Sequence, residues 1–182
     1  PSRGLGDVYK RQYVGRAKEV HAAEVARENG QCMGEVLPEL KEMMHTVKAI
    51  FTDVNKTNTG VGSTIYAVKP GDGSAREQAA SCQKVLGGWA NIAKEYATKR
   101  YRSNLINWGM LPFIYPEEEL PFANGDYIFI PGVAEAVRNK ATTFKAYVVN
   151  KGMKEFELQM GELTDDEREI ILKGCLINFN RV

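Results

Sequence analysis

The stretch that decides the fold reads Gly71-Asp72-Gly73-Ser74-Ala75-Arg76-Glu77-Gln78. Two glycines separated by one residue allow a sharp backbone turn, because glycine adopts positive φ without strain. Ser74 followed three residues later by Glu77 has the spacing of a capping box, which predicts a helix over residues 75–86 with Ser74 at its N-cap. The β-prone run over residues 63–68 predicts a strand in front of the turn. The loop therefore leads from a strand to the N-terminus of a helix.

The chemistry of this loop has a structural interpretation and a functional one. Helix capping alone would account for Ser74 and Glu77. A helix N-terminus, however, also presents unpaired N–H groups and a partial positive charge, which can hold a carboxylate or stabilise a serine alkoxide. Arg76 adds a forked cation suited to a bidentate grip on a carboxylate. A phosphate site is the main rival, but the loop lacks the G-x-x-x-x-G-K-[ST] pattern. The combination favours small polycarboxylates.

The remaining chain reads as alternating helices and strands, which indicates an α/β protein. Apolar spacing predicts further helices over residues 13–29, 39–51 and 98–108. Strands are predicted over residues 89–96 and 126–130, with a hairpin formed by residues 144–149 and 155–160. A last helix is predicted from Thr164 to about Lys173, with Glu167 completing a capping box.

The first twelve residues, 1–12, resemble the read-through translation of a sequencing-library adapter. We expect them to be extraneous, and we expect the natural domain to occupy residues 13–182 and to be cut at its N-terminal side. Without their three basic residues and one acidic residue, the formal charge changes from +1 to −1. No polycationic surface remains that would indicate a nucleic-acid partner.

Composition indicates a soluble globular protein with neither a membrane span nor a metal site of its own. The chain is 43% hydrophobic and 26% charged, and it has no uninterrupted apolar run of the roughly 18 residues that a membrane helix needs. Its three cysteines, Cys32, Cys82 and Cys175, are widely spaced and form no C-x-x-C pair. Such cysteines are typical of the reducing cytosol, so we expect a cytoplasmic protein.

The loop and a second block downstream resemble one family. Residues 71–80 resemble the G-x-G-S-[ST]-R-E-[HQ]-A segment of the aconitase superfamily. Leu86-Gly87-Gly88, Asn104 and Gly109-Met110-Leu111-Pro112 follow the same family in order and approximate spacing. The similarity is greatest to the C-terminal domain of fused bacterial hydratases.

The resemblance implies the swivel fold, a small, mixed, partly barrel-like sheet flanked by helices. It implies that Ser74 is the catalytic base that removes a proton from the carbon alpha to a carboxylate. Arg76 would bind a substrate carboxylate, and the backbone of Gly73 and Ala75 would contact the substrate. The position of Ala75 commonly carries a second hydroxyl in the family, so its absence leaves the exact di- or tricarboxylate open. The region around Arg102 could also face the site.

The family's other catalytic parts do not map onto this sequence. The resemblance implies a [4Fe-4S] cluster held by three cysteines on another domain, together with acid/base residues that also lie elsewhere. We therefore expect no cofactor bound by this chain, partner domains that carry the cluster, and no hydratase activity from the chain alone.

Two alternatives remain open. The chain could resemble an isopropylmalate-dehydratase small subunit, which docks as a separate polypeptide on a cluster-bearing large subunit. It could instead be a non-catalytic anion-binding module in which Ser74 only caps a helix.

Overall fold

The computed structural model describes the backbone of residues 3–181 and the side chains of residues 15–181. Within these residues, no helix is long and apolar enough to cross a membrane. The chain divides into two compact units, residues 1–63 with 85–88 and residues 64–84 with 89–182. The proposed natural limits, 13–182, stay a prediction, as does the adapter origin of residues 1–12, whose side chains lie outside the described part.

The first unit is helical. It contains α1 (Arg3–Glu28), α2 (Met33–Val36) and α3 (Glu39–Ile50), followed by a loop that leads to the first strand. Its buried apolar side chains recur every three residues along α1, and those of α3 lie seven residues apart, which in both cases places them on one helix face. They include Ala17, Val20, Ala23, Leu40 and Val47.

A buried ion pair joins α1 to the loop after α3. Glu24 is 5% exposed, and it binds Arg27 through two hydrogen bonds of 2.8 and 2.7 Å. Its carboxylate also accepts the Val61 N–H at 2.9 Å, and Arg27 donates to the Lys56 carbonyl at 2.6 Å. The hydrogen-bonded Glu24 raises the pKa of the Arg27 guanidinium. Because both charges are hydrogen-bonded, their burial is tolerated, and the pair anchors the loop.

The second unit contains most of a mixed six-stranded sheet that curls into a half-barrel and is flanked by helices. The strand order is β1-β2-β3-β6-β5-β4. The strands are β1 (Ser63–Ala67), β2 (Gly88–Ala93), β3 (Leu111–Ile114), β4 (Ile128–Phe129), β5 (Thr143–Val148) and β6 (Lys154–Gln159). The helices between and after them are α4 (Arg76–Val85), α5 (Lys99–Asn107), α6 (Val133–Arg138), α7 (Asp165–Leu172) and α8 (Leu176–Phe179).

Strand pairing changes direction in the middle of the sheet. β2 and β3 run parallel, with Ala90 opposite Leu111, whereas β3–β6, β6–β5 and β5–β4 are antiparallel. The antiparallel hairpin of β5 and β6 buries alternate side chains, as a strand period of two requires. These buried side chains include Phe144, Ala146 and Val148 on β5 and Phe156 and Leu158 on β6, and they form the main core together with Phe113 of β3.

Most predicted elements are confirmed, and several have different limits. α1 begins at Arg3 instead of residue 13, and α4 begins at Arg76 instead of residue 75. The strand predicted over residues 126–130 is shorter in the structure, where it is β4, and the Tyr127 N–H in front of it donates to the Asn150 side chain at 2.8 Å. The elements not predicted are α2, β3, α6 and α8.

The strand β3 was not predicted, and it contains Pro112. Proline cannot donate a ladder hydrogen bond and usually argues against a central strand. Here Pro112 is less than 2% exposed and lies opposite Asn91 in the parallel register with β2. The next N–H after β3, from Tyr115, donates to the Ala93 carbonyl at 2.8 Å. Burial of the strand outweighs the missing donor.

Candidate functional site

The loop between β1 and α4 is anchored where it leaves the strand. The Glu95 N–H donates to the Val68 carbonyl at 3.1 Å, and the Ala97 N–H donates to the Pro70 carbonyl at 3.0 Å. These two bonds hold the first residues of the loop beside the segment between β2 and α5. Residues 72–75, which follow the anchored part, are exposed.

Gly71 is the point at which the loop turns. Its φ is +96°, a conformation that other residues adopt only with strain. A Cβ atom at Gly71 would lie 2.5 Å from the Cβ and 2.6 Å from the Cγ of Tyr101. The Thr98 hydroxyl donates to the Gly71 carbonyl at 3.3 Å. Both the backbone conformation and the contact with Tyr101 therefore require glycine.

Ser74 precedes the helix by one residue more than predicted. The first intrahelical hydrogen bond runs from the Ala79 N–H to the Ala75 carbonyl at 3.0 Å, so Ala75 occupies the N-cap position. The predicted register, with Ser74 at the N-cap and Glu77 at N3, is wrong by one residue. Because alanine has no side-chain acceptor, Ala75 cannot satisfy the first N–H groups of α4.

Arg76 folds back over the loop. Its Nε donates to the Gly73 carbonyl at 2.9 Å. In the described part of the chain, the Arg76 side chain makes no other hydrogen bond. Its two terminal amino groups are therefore available to another acceptor. A Cβ built at Gly73 meets no atom within 4 Å. The guanidinium thus borders an open backbone surface next to the exposed Ser74.

Glu77 is held away from the cap position by Trp108. The Trp108 indole Nε1 donates to the Glu77 carboxylate at 3.0 Å. In a capping box this carboxylate would accept a backbone N–H at the helix start. The hydrogen bond to Trp108 instead joins α4 to the C-terminal end of α5. The positive end of the ten-residue helix α4 faces the loop, and in the described part of the chain no side-chain hydrogen bond of Arg76 or Glu77 caps it.

Three other ionisable groups lie close to the loop. The Glu95 carboxylate, 2.7 Å from the Lys69 ammonium, raises the pKa of Lys69. Burial raises the pKa of the Tyr96 hydroxyl above its ordinary range, and this hydroxyl donates to the Phe113 carbonyl at 2.9 Å. Lys69 is therefore paired with Glu95, while Tyr96 is a neutral hydrogen-bond donor.

The Arg102 side chain contacts the segment in front of α7. Its guanidinium donates to the carbonyls of Gly161 and Glu162 at 3.2 and 3.0 Å, and it lies 4.0 Å from the Glu167 carboxylate. These contacts tie α5 to that segment. That Arg102, Ser103 and Asn104 face the site stays a prediction.

The cysteines remain dispersed. Cys32 and Cys82 are exposed and Cys175 is half-buried, and all three are free thiols. Among residues 15–181, no three His, Cys, Asp or Glu side chains lie together closely enough to hold a metal ion.

Three residues beneath the loop were missed by the sequence analysis: Asn91, Thr98 and Tyr101. Asn91 lies in the buried strand β2, where its amide donates to the Tyr101 hydroxyl at 3.0 Å. An asparagine among the apolar residues of a buried strand was the available signal, because a buried amide needs hydrogen-bond partners.

Fold and loop together define a mixed α/β domain that presents a serine and an arginine at an uncapped helix N-terminus. Residues 35–118 match the sequence model of the aconitase C-terminal domain. This match and the aconitate hydratase relative described next support an aconitase-superfamily swivel domain.

Relatives of the chain include whole enzymes and separate subunits. Aconitate hydratase A of Rickettsia bellii (strain RML369-C) is 30% identical over 168 residues, which cover 86% of this chain and 18% of that protein. A methanogen homoaconitase small subunit of Methanocaldococcus jannaschii is 36% identical over 111 residues, which cover 60% of this chain and 55% of that protein. The chain thus spans only part of the length of both relatives.

Among solved structures, the chain is similar to a 3-isopropylmalate dehydratase from Methanocaldococcus jannaschii. The two are 28% identical, with a TM-score of 0.48, and the similarity covers 74% of this chain and 73% of that one.

Proposed function

We propose that this chain is the substrate-binding domain of an aconitase-type hydro-lyase acting on a di- or tricarboxylate of the citrate, aconitate or isocitrate type. The observation that carries the proposal is the position of Arg76, whose guanidinium folds over Gly73 beside the exposed Ser74. A forked cation and the positive end of a helix then converge on one open surface, and both favour a carboxylate.

In this proposal Arg76 clamps one substrate carboxylate while Gly73 and Ala75 contribute backbone contacts. The two terminal amino groups of Arg76 supply two parallel donors, which matches the two oxygens of a carboxylate. The backbone can approach the substrate closely at Gly73, since nothing in the described structure lies where its side chain would be.

Ser74 is proposed as the catalytic base. Its alkoxide would take the proton from the carbon alpha to the bound carboxylate, and the electron pair of that C–H bond would form the double bond as the neighbouring hydroxyl leaves. An ordinary serine hydroxyl is too weak a base for this step near neutral pH, so the alkoxide needs electrostatic stabilisation. The N–H groups at the start of α4 and the Arg76 guanidinium are the nearby sources of positive charge.

We assign the departure of the hydroxyl to parts of the enzyme outside this chain. The described residues do not fit a [4Fe-4S] cluster, because no three His, Cys, Asp or Glu side chains among them come together. We propose that cluster-bearing domains, in the same polypeptide or in a separate large subunit, complete the site. We also propose a cytoplasmic location, consistent with three free thiols.

Ligand titration tests the carboxylate site directly. Citrate and tricarballylate are titrated against the wild-type chain, Arg76→Ala and Ser74→Ala, with the exposed arginine of α6 removed in the matched control Arg138→Ala. We expect Arg76→Ala to weaken binding by about tenfold or more, as loss of a charge-assisted hydrogen-bonding partner does. Arg138→Ala should bind like the wild type, and Ser74→Ala should bind within about threefold of it, since the base acts mainly in the transition state.

Four outcomes would contradict the proposal. No binding by the wild type, or equal losses in Arg76→Ala and Arg138→Ala, would remove the carboxylate site. Binding of inorganic phosphate as tight as that of citrate would favour the non-catalytic anion-binding module. Turnover of aconitate by the purified chain would contradict the need for further domains.

A second candidate is a separate small subunit of the isopropylmalate-dehydratase or homoaconitase type. The relative named as a homoaconitase small subunit favours it, since a protein of that kind exists as its own polypeptide. Co-purification with a co-expressed cluster-bearing large subunit, followed by activity of the complex, would support this form. A gene that continues in frame into the cluster-bearing domains would support the fused form.

A further inference from the structure

The turn at Gly71 lies directly on the ring of Tyr101. A Cβ atom at Gly71 would approach three atoms of this side chain, Cβ, Cγ and Cδ1, at 2.5, 2.6 and 2.8 Å. Tyr101 is 5% exposed and belongs to a small core cluster with Ala80, Leu105 and Met110. The loop therefore turns on a ring that its own surroundings hold in place.

Asn91 determines where the far end of that ring lies. The Asn91 amide nitrogen donates to the Tyr101 hydroxyl at 3.0 Å, and Asn91 is 2% exposed. Its amide oxygen has no hydrogen-bond partner in the described structure. A buried amide that is half satisfied costs stability in a strand where an apolar residue would pack freely. The hydrogen bond that the Asn91 side chain does make is the one to Tyr101.

Thr98 supports the same turn from the start of α5. Its hydroxyl oxygen accepts the Tyr101 N–H at 3.2 Å as the helix cap, and the hydroxyl donates to the Gly71 carbonyl at 3.3 Å. The first turn of α5 thus supports Gly71 through the Tyr101 ring and through this hydrogen bond. On the other side of Gly71, Arg76 closes back on Gly73 at 2.9 Å.

We propose that Tyr101 is a positioning residue of the carboxylate site, held by Asn91, and that its ring sets the place of Gly71 and through it the place of Ser74 and Arg76. This inference rests on the proposed function. Only two residues separate Gly71 from Ser74, so a shift of the turn is passed on to the site. A displacement of about 1 Å at such a site can change function by up to roughly a hundredfold.

The first experiment separates positioning from stability. The affinity for tricarballylate and the melting temperature are measured for wild type, Tyr101→Leu, Tyr101→Phe and Asn91→Leu, with Tyr96→Phe as the matched control. Tyr96 belongs to the same cluster and its hydroxyl also bonds buried groups, the carbonyls of Asn91 and Phe113. We expect Tyr101→Leu to weaken binding by roughly tenfold or more, and Tyr101→Phe to recover most of that loss because the ring is retained.

The Tyr96→Phe control separates a loss of stability from a loss of positioning. Tyr96→Phe should lower the melting temperature without changing the affinity, because it removes the hydrogen bonds to the Asn91 and Phe113 carbonyls and keeps the ring. If Tyr101→Leu and Tyr96→Phe change the affinity equally, or if Tyr101→Leu binds as the wild type does, the positioning role is overturned. Absence of binding by the wild type would instead remove the proposed function itself, and this inference with it.

A double-mutant cycle tests the contact between Gly71 and Tyr101. Gly71→Ala alone should weaken tricarballylate binding, because its Cβ would overlap the ring. In Gly71→Ala with Tyr101→Leu, the combined loss should be at least threefold smaller than the product of the two single losses, since residues in contact do not act additively. Losses that simply multiply would mean that the two residues act independently, which would overturn the proposal.

Discussion

The starts of α4 and α7 have the same sequence pattern and differ in structure. Each has a hydroxyl residue followed three positions later by glutamate, Ser74 with Glu77 and Thr164 with Glu167. At α7 the capping box forms: the Thr164 hydroxyl accepts the Glu167 N–H at 3.2 Å, and the Glu167 carboxylate accepts the Thr164 N–H at 2.9 Å. At α4 it does not, because the helix begins one residue later and Trp108 binds Glu77.

The difference shows how a helix start becomes available to a ligand. At α7 the capping box satisfies the N–H groups of Thr164 and Glu167 with side chains of the helix start itself. The start of α4 has an alanine at the N-cap and a glutamate turned to a neighbouring helix. We expect its N–H groups to favour a bound carboxylate for this reason.

The largest expected effect is on the free energy of unfolding, in which the starts of α4 and α7 should differ. Thr164→Ala should lower the free energy of unfolding by roughly 1–2 kcal/mol, because it removes the side-chain acceptor of a formed capping box. Ser74→Ala should leave it within about 0.5 kcal/mol, since Ser74 lies outside the N-cap position. Urea denaturation of both variants measures the difference. Equal losses would show that Ser74 caps α4 after all.

Changing the N-cap of α4 should stabilise the helix and weaken the site together. Ala75→Asp should raise the free energy of unfolding by about 1 kcal/mol, because aspartate is a good N-cap and alanine a poor one. The same carboxylate should repel a ligand carboxylate and weaken tricarballylate binding by roughly tenfold. Ala75→Asn is the matched control, which should stabilise to a similar degree without the electrostatic repulsion. Tighter ligand binding by Ala75→Asp would contradict a carboxylate site at this helix end.

Releasing Glu77 should have a smaller effect. Trp108→Phe removes the indole N–H, so the Glu77 carboxylate can turn toward the start of α4 and compete with the ligand. We expect the affinity for tricarballylate to fall about two- to threefold. Adding Glu77→Gln should abolish that loss, because the competing charge is gone. A loss that persists in the double variant would assign the effect to packing of the indole.

The smallest effect concerns acid at the start of α7. The Arg168 hydrogen bond, followed by that of Lys140, lowers the pKa of Asp165 below its ordinary value of 3.8. A carboxyl whose pKa is lower in the folded state stabilises the protein above its unfolded pKa. This contribution should fade as the pH falls below about 3.8 and through the folded pKa. The melting temperature of Asp165→Asn should therefore converge on that of the wild type at low pH. A gap that widens with acid would contradict the shift.

The sequence predicted the outline of the fold and of the site for reasons that can be traced to particular residues. The hairpin of β5 and β6 was predicted because two β-prone segments flank Lys151-Gly152, and a short turn between two such segments is typical of a hairpin. The resemblance to the aconitase superfamily followed from the loop motif, and the family-model match and the aconitate hydratase relative support it. The roles of Ser74 and Arg76 stay predictions.

Other features depended on contacts between distant residues. β3 is a central strand although Pro112 argues against it locally, because the sheet buries it between β2 and β6. The support of Gly71 by Tyr101 joins residues that are far apart in the chain, and a spacing pattern does not contain it.

By itself, the sequence determined the elements with a strong local period, the glycine turn and the pairing of a serine with an arginine at one loop. Only the tertiary structure decided which of the two capping patterns forms a capping box and which does not. The physical reason is that the glutamate carboxylate can accept a hydrogen bond either from the helix start or from another side chain nearby. Trp108 approaches Glu77 in space, whereas the Glu167 carboxylate accepts the Thr164 N–H.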